Sequence, residues 1–109
     1  MATEVIWTEW SDRNIESIHE FISKDSVFYA TRFIKNLVLS TNKQLSLKPL
    51  SGRVIPEFEG THLNFLREVI YKGYRVLYDP SDSPAKVEII AVTSGRQELR
   101  NVNTEWDLD

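Results

Sequence analysis

Four arginines are the chain's best chemical tools: Arg53 in GRVIPEF, Arg67 in LREVIY, Arg75 in YRVLY and Arg96 at the end of VEIIAVTSGR. The last three lie in or beside segments rich in β-branched and aromatic residues, the composition of strands, which fixes a backbone and aims a side chain. A guanidinium is planar, permanently charged and forked, so it suits phosphate or carboxylate recognition. Arg67, Arg75 and Arg96, with Lys72 in an intervening turn, are therefore the expected target-binding or phosphate-binding set. Plainer roles stand beside these. Arg67, next to Glu68, can be a surface strand residue paired across the sheet, Arg96 can cap a loop or pair with tail carboxylates, and Arg53 and Glu57 can pin a loop. Tyr74 and Tyr78 read as core residues, His19 as a solvated residue on a polar helix face, and His62 as a weak acid-base candidate in a loop. Cysteine is absent and histidines number two, so thiolate chemistry, a zinc site and a cofactor are not expected.

The elements that must position these side chains follow from periodicity. Glu4 to Thr8 reads as a strand, and a helix follows with Ser11 as its expected N-cap and Ile15, Ile18, Phe21 and Ile22 as a buried stripe. KDS at 24–26 breaks it, and Asp25 or Ser26 caps a second helix carrying Ala30, Phe33, Ile34, Leu37, Val38 and Leu45 on one face. That helix must stop before Pro49, and so short a connection makes the two helices an antiparallel hairpin. The stretch 50–64, with Gly52, Pro56 and Gly60, reads as a long loop. Strands are expected at about 65–71, 74–79 and 86–93, the first two joined by a Lys72-Gly73 turn and the last two by PSDSP. In the middle strand Tyr74, Val76 and Tyr78 share the face that meets the helices, leaving Arg75 and Leu77 on a face expected to stay open.

A chain of 109 residues with 41% apolar content and 11% aromatics makes one folded domain. No apolar run approaches the ~20 residues of a membrane span, and MATEVIWTEW is no leader, so the expected location is the cytoplasm. The formal charge of −3 is concentrated in the last nine residues, where Glu105, Asp107 and Asp109 face no Lys or Arg. Leu99, Val102 and Trp106 recur at helical spacing, which suits a short C-terminal helix of one or two turns. The expectation is that Trp106 folds back and that a tail carboxylate approaches one of the open-face arginines. Trp7, Trp10, Phe28, Tyr29 and Leu39 exceed what the buried stripes require, and surplus aromatics are typical of interface anchors.

Taken in order, the opening strand ending in Trp7-Thr8, the isoleucine stripe, GRVIPEF, LREV, YRVLY and VEIIAVTSGR resemble the RelE/ParE superfamily of toxins from bacterial type II toxin-antitoxin systems, over about residues 4–96. The likeness is greatest to the ParE-like, plasmid-stabilisation branch. Ser11 stands where the family usually has Ala, and Asn14 where Asp is common. The resemblance implies an α+β fold, a helical hairpin packed on a small, mainly antiparallel four-stranded sheet, as a single toxin domain over 1–109 with a tail at 97–109. It also implies a growth inhibitor neutralised by a cognate antitoxin, for which the five surplus apolar residues are the expected binding surface. ParE-like members poison DNA gyrase, whereas RelE-like members cut messenger RNA on the ribosome. In the nuclease branch the arginines matching Arg75 and Arg96 lie at the scissile phosphate. The tyrosine that follows the final arginine there has no counterpart in QELRNVNTEW, and of the assisting lysines only Lys72 has a near match. General acid-base help of that kind is worth about 10²- to 10⁴-fold. Three readings stay open: a gyrase poison, a ribosome-dependent endonuclease, and a non-toxic remnant that still binds antitoxin.

Overall fold

The computed structural model describes residues 2–80 and 85–95. Along the chain run β1 (Glu4–Trp7), α1 (Glu9–Ser23), α2 (Val27–Leu47), β2 (Arg53–Val54), a 3-10 turn (Pro56–Phe58), β3 (Arg67–Tyr71), β4 (Tyr74–Asp79) and β5 (Lys86–Ser94). The strands form one sheet in the order β1-β5-β4-β3-β2, antiparallel except where β1 runs parallel to β5. The α+β class and the helical hairpin are as expected. The sheet has five strands because two residues of the long loop, Arg53 and Val54, add to the edge of β3 opposite Glu68 and Arg67.

Helix α1 begins earlier than its local sequence suggests. Its N-cap is Thr8, whose side chain accepts from the Ser11 backbone N–H, so Ser11 is not the cap but a buried residue of the first turn. Thr8 Oγ1 also donates to the Ile89 carbonyl at 2.7 Å, which ties the start of α1 to β5. That tertiary bond selects Thr8 over Ser11, and local propensity does not encode it. Ile15, Ile18 and Ile22 pack on the core, but Phe21 points outward and is 66% exposed. Ser26 caps α2 by accepting from the Tyr29 N–H, and the helix ends before Pro49.

The helices cover one face of the sheet, where Phe33, Leu37 and Leu45 meet Val76, Tyr78 and Ile89. The other face, expected to be open, is covered. Residues 55–66 fold across it and bury Ile55, Phe58 and Leu66 against Leu77, Ile90 and Ala91. The chain thus has three layers: helices, sheet and a loop layer. Among the described residues no helix is long and apolar enough to cross a membrane.

Candidate functional site

The motif residues of β2, β3, β4 and the loop layer converge in one network. Arg75 on β4 is diagonal to Glu68 on β3, because Ile70 pairs with Arg75 and Glu68 with Leu77. Its Nε donates to Glu68 Oε1 at 2.6 Å and its Nη2 to Glu68 Oε2 at 3.1 Å. Its two terminal nitrogens also grip Glu57 at 2.6 and 2.8 Å, the two-pronged geometry in which arginine excels. Arg53 supplies a second cation to Glu68 from β2 at 2.6 Å. The Glu68 side chain is fully buried and that of Arg75 only 7% exposed. Hydrogen bonds to Glu57, outweighing the opposing cost of burial and reinforced by Glu68, push the Arg75 guanidinium still further above its already high range. It is a fixed positive charge at any accessible pH.

On the helix side of the same strands, Gly52 is held through both its backbone N–H and its carbonyl. Its N–H donates to Tyr78 Oη at 2.9 Å, and its carbonyl accepts from Arg67 Nη1 at 2.8 Å. A Cβ at residue 52 would lie 2.6 Å from the Tyr78 ring and hydroxyl and 2.7 Å from the Glu68 carbonyl, so only glycine allows this approach. Burial pushes the Tyr78 phenol up, with the Gly52 hydrogen bond and the nearby Arg67 charge pulling the other way.

The sequence elements GRVIPEF, LREV and YRVLY are therefore partners of one another. Gly52 meets Tyr78 and Arg67, Arg53 meets Glu68, and Glu57 and Glu68 meet Arg75. The expectation of an open arginine face fails at Arg75, because two carboxylates seven and 18 residues away occupy its fork. Arg53 and Glu57 do pin the loop. Arg67 does not pair with Glu68 but with backbone carbonyls, because the two side chains leave β3 on opposite faces. Arg96, the tail carboxylates and Trp106 lie outside the described residues.

The surplus apolar residues divide. Phe28 and Tyr29 lie in the first turn of α2 and Leu39 about three turns further on, with exposures of 77, 54 and 55%. Trp7 is engaged in the fold, packed on the helix-side core with Nε1 donating to Asn42 Oδ1 at 2.8 Å. Trp10 packs against the cluster beneath the loop layer. His19 is not simply solvated: its ring nitrogens meet Thr31 Oγ1 at 3.0 Å and Ser23 Oγ at 3.3 Å, joining the two helices. His62 is exposed.

A second cluster escaped the sequence reading. Beside α2, Arg32 and Lys72 flank an open cleft of about 210 Å³ whose walls include Tyr29, Phe33, Asn36 and Tyr71. Phe33 packs against both tyrosines, with ring centroids 6.0 Å from Tyr29 and 5.6 Å from Tyr71. The readable signal was charge: no Asp or Glu occurs between residues 26 and 56.

The sequence profile of the ParE toxin of the type II toxin-antitoxin system parDE matches residues 5–99. No curated protein matches significantly in sequence. Among solved structures, a chain of the chromosomal ParDE toxin-antitoxin system from P. aeruginosa superposes with a TM-score of 0.66 at 11% identity, covering 85% of this chain and 96% of that one. A chain of the RelBE2 toxin-antitoxin complex from Mycobacterium tuberculosis gives 0.65 at 20% identity, covering 86% and 99%. At these identities the two structures show a shared fold, whereas the profile spans nearly the whole described chain. With a helical hairpin on a mainly antiparallel sheet and motifs that lock onto one another, the chain belongs to the ParE toxin family of type II toxin-antitoxin systems.

Proposed function

We propose that this chain is the growth-inhibiting toxin of a type II pair, neutralised by a cognate antitoxin, and that it acts on DNA gyrase by contact instead of cutting RNA. The occupied fork of Arg75 carries the choice. In-line attack by a ribose 2′-hydroxyl piles negative charge on phosphorus, and a guanidinium helps only if its donors are free to meet that charge. Here Nε, Nη1 and Nη2 of Arg75 are each bonded to carboxylate. A phosphate would have to displace two anions, one of them fully buried. Arg67 spends a terminal nitrogen on the Gly52 carbonyl, and His19 is engaged at the helix junction. The match to the ParE profile supports the same reading.

Controlled induction in a bacterial host tests it. Growth arrest with a raised DNA-damage response and trapped gyrase-DNA complexes is the expected result. Cuts phased to codons in ribosome-bound messages would transfer the function to the endonuclease reading. Normal growth at full expression, with antitoxin still captured, would leave only a binding remnant.

A further inference from the structure

The Arg32–Lys72 cleft lies apart from the buried network. Arg75 meets Glu68 and Glu57 beneath the loop layer, whereas Phe33 and Tyr71 belong to the core on the helix side. Helix α2 supplies Tyr29, Arg32, Phe33 and Asn36 to the cleft, and the β3–β4 hairpin supplies Tyr71 and Lys72. Arg32 and Lys72 are both exposed, and among the described residues neither makes an ion pair. Two uncompensated cations beside an aromatic cleft favour an anion there.

The turn that carries Lys72 is strained. Lys72 has φ 44° and Gly73 φ 87°, the left-handed pair of a tight two-residue hairpin. Gly or Asn fits the first of these positions with little strain, and a lysine does not. Strain retained at a surface position points to a job for the side chain. The ammonium leans over the Tyr71 ring, 5.6 Å from its centroid. Such a contact at an exposed site is weak, and a phosphate offers the ammonium a stronger partner.

We propose that this cleft binds a nucleotide, a nucleoside 5′-monophosphate whose base lies against the tyrosines and whose phosphate bridges Arg32 and Lys72. A space of about 210 Å³ is below the ~300 Å³ at which drug-sized pockets begin, so it holds one flat ring system and leaves the charged remainder at the mouth, beside the cations. Tyr29, 54% exposed and leaning on the buried Phe33, offers aromatic surface on which a base can stack. Asn36 carries both a donor and an acceptor, the complement of a base edge. Inorganic phosphate would use only the cations, and an acidic peptide would leave the aromatic walls and the amide without a role. Bases in a duplex are stacked inward, so the nucleotide comes free or as an unpaired unit of a DNA strand. Lys35, exposed one turn beyond Arg32, is placed to meet a neighbouring phosphate of such a strand. A toxin that traps gyrase on DNA would meet unpaired strands there; that consequence rests on the gyrase reading, and the site itself does not.

The test is an NMR titration of the full chain with dAMP, deoxyadenosine, inorganic phosphate, a single-stranded deoxyadenylate hexamer and a blunt DNA duplex. The nucleotide dAMP is expected to bind with a dissociation constant of about 0.1–1 mM, to shift amides of residues 29–36 and 71–73, and to exceed deoxyadenosine and phosphate by about tenfold or more. A hexamer that binds more tightly than dAMP, and loses that gain in Lys35→Gln, assigns the strand as the source; a hexamer no tighter assigns the free nucleotide. Tyr29→Leu should weaken dAMP about tenfold and leave phosphate binding unchanged, whereas Arg32→Gln and Lys72→Asn should weaken both. Lys72→Asn should at the same time hold or raise the thermal midpoint, because it relieves the turn, so that binding lost there is not folding lost. Equal binding of phosphate and dAMP, or preference for the duplex, would reduce the cleft to a cationic patch and overturn the proposal. So would shifts confined to other residues, or full dAMP affinity in Lys72→Asn. Growth arrest on induction is scored separately: arrest without nucleotide binding removes only this site, and binding without arrest removes only the toxin reading.

Discussion

Arg75 illustrates how a residue suited to catalysis can be consumed by structure. Its burial is tolerable because each donor nitrogen finds a carboxylate, so removing it leaves Glu68 charged, buried and dependent on the half-exposed Arg53 alone. Breaking one side of a buried pair typically costs about 3–5 kcal/mol, because the surviving charge is left uncompensated. Arg75→Ala should therefore lower the unfolding free energy by that amount in urea titrations. A loss below about 1 kcal/mol, the range of surface ion pairs, would show that the network does not hold the fold. Loss of toxicity in that variant alone would then say nothing about catalysis. Tyr78 gives a pH signature. Its phenol is raised, so above about pH 10 the unfolded chain releases a proton that the folded chain retains. The folded state then binds more protons, and stability, complete below that pH, falls as pH rises through the folded value. Tyr78→Phe forfeits the Gly52 hydrogen bond but lacks this titration, so its stability gap to the parent should narrow in urea titrations between about pH 9 and 11. A constant gap would mean that the hydroxyl titrates as in water.

At the scale of elements, α1 is held by its packing against its own electrostatics. Asp12, Glu16 and Glu20 repeat at four-residue intervals, so like charges stand one turn apart, and among the described residues only Glu9 of the helix's acids finds an ion-pair partner, Arg13 at 2.6 Å. Such pairs destabilise a helix by about 0.2–0.5 kcal/mol each, and opposite charges at the same spacing stabilise it similarly. Glu16→Lys converts both contacts and should raise stability by roughly 0.8–2 kcal/mol, an increment that shrinks in high salt. A decrease would show that Glu16 serves the fold in a way the helix geometry does not reveal. The helices were legible because their apolar spacing is strong and their stop signals are local. What was not legible depended on tertiary contact: the Thr8 cap set by a bond to β5, the outward Phe21, and a two-residue strand too short to carry a pattern.

For the molecule as a whole, periodicity and family likeness gave the class and the order of elements, but not the third layer. The arginines read as a free set because a sequence does not display which carboxylates will reach them; Glu68 meets Arg75 once β3 and β4 pair, and Glu57 only after the loop folds over the sheet. This layering permits a decisive separation of folding from function. Buried ion networks replaced together by apolar residues of similar volume are often neutral or stabilising, unlike single deletions. The combined variant Glu57→Leu, Glu68→Leu and Arg75→Met, with Arg53 left to solvent, should therefore fold, with urea stability within about 2 kcal/mol of the parent or above it. If the chain arrests growth through contacts made elsewhere, as proposed, induction of this variant should still stop growth and still be rescued by antitoxin. A folded triple variant that binds antitoxin yet leaves growth untouched would return Arg75 to the reaction and the chain to the nuclease reading.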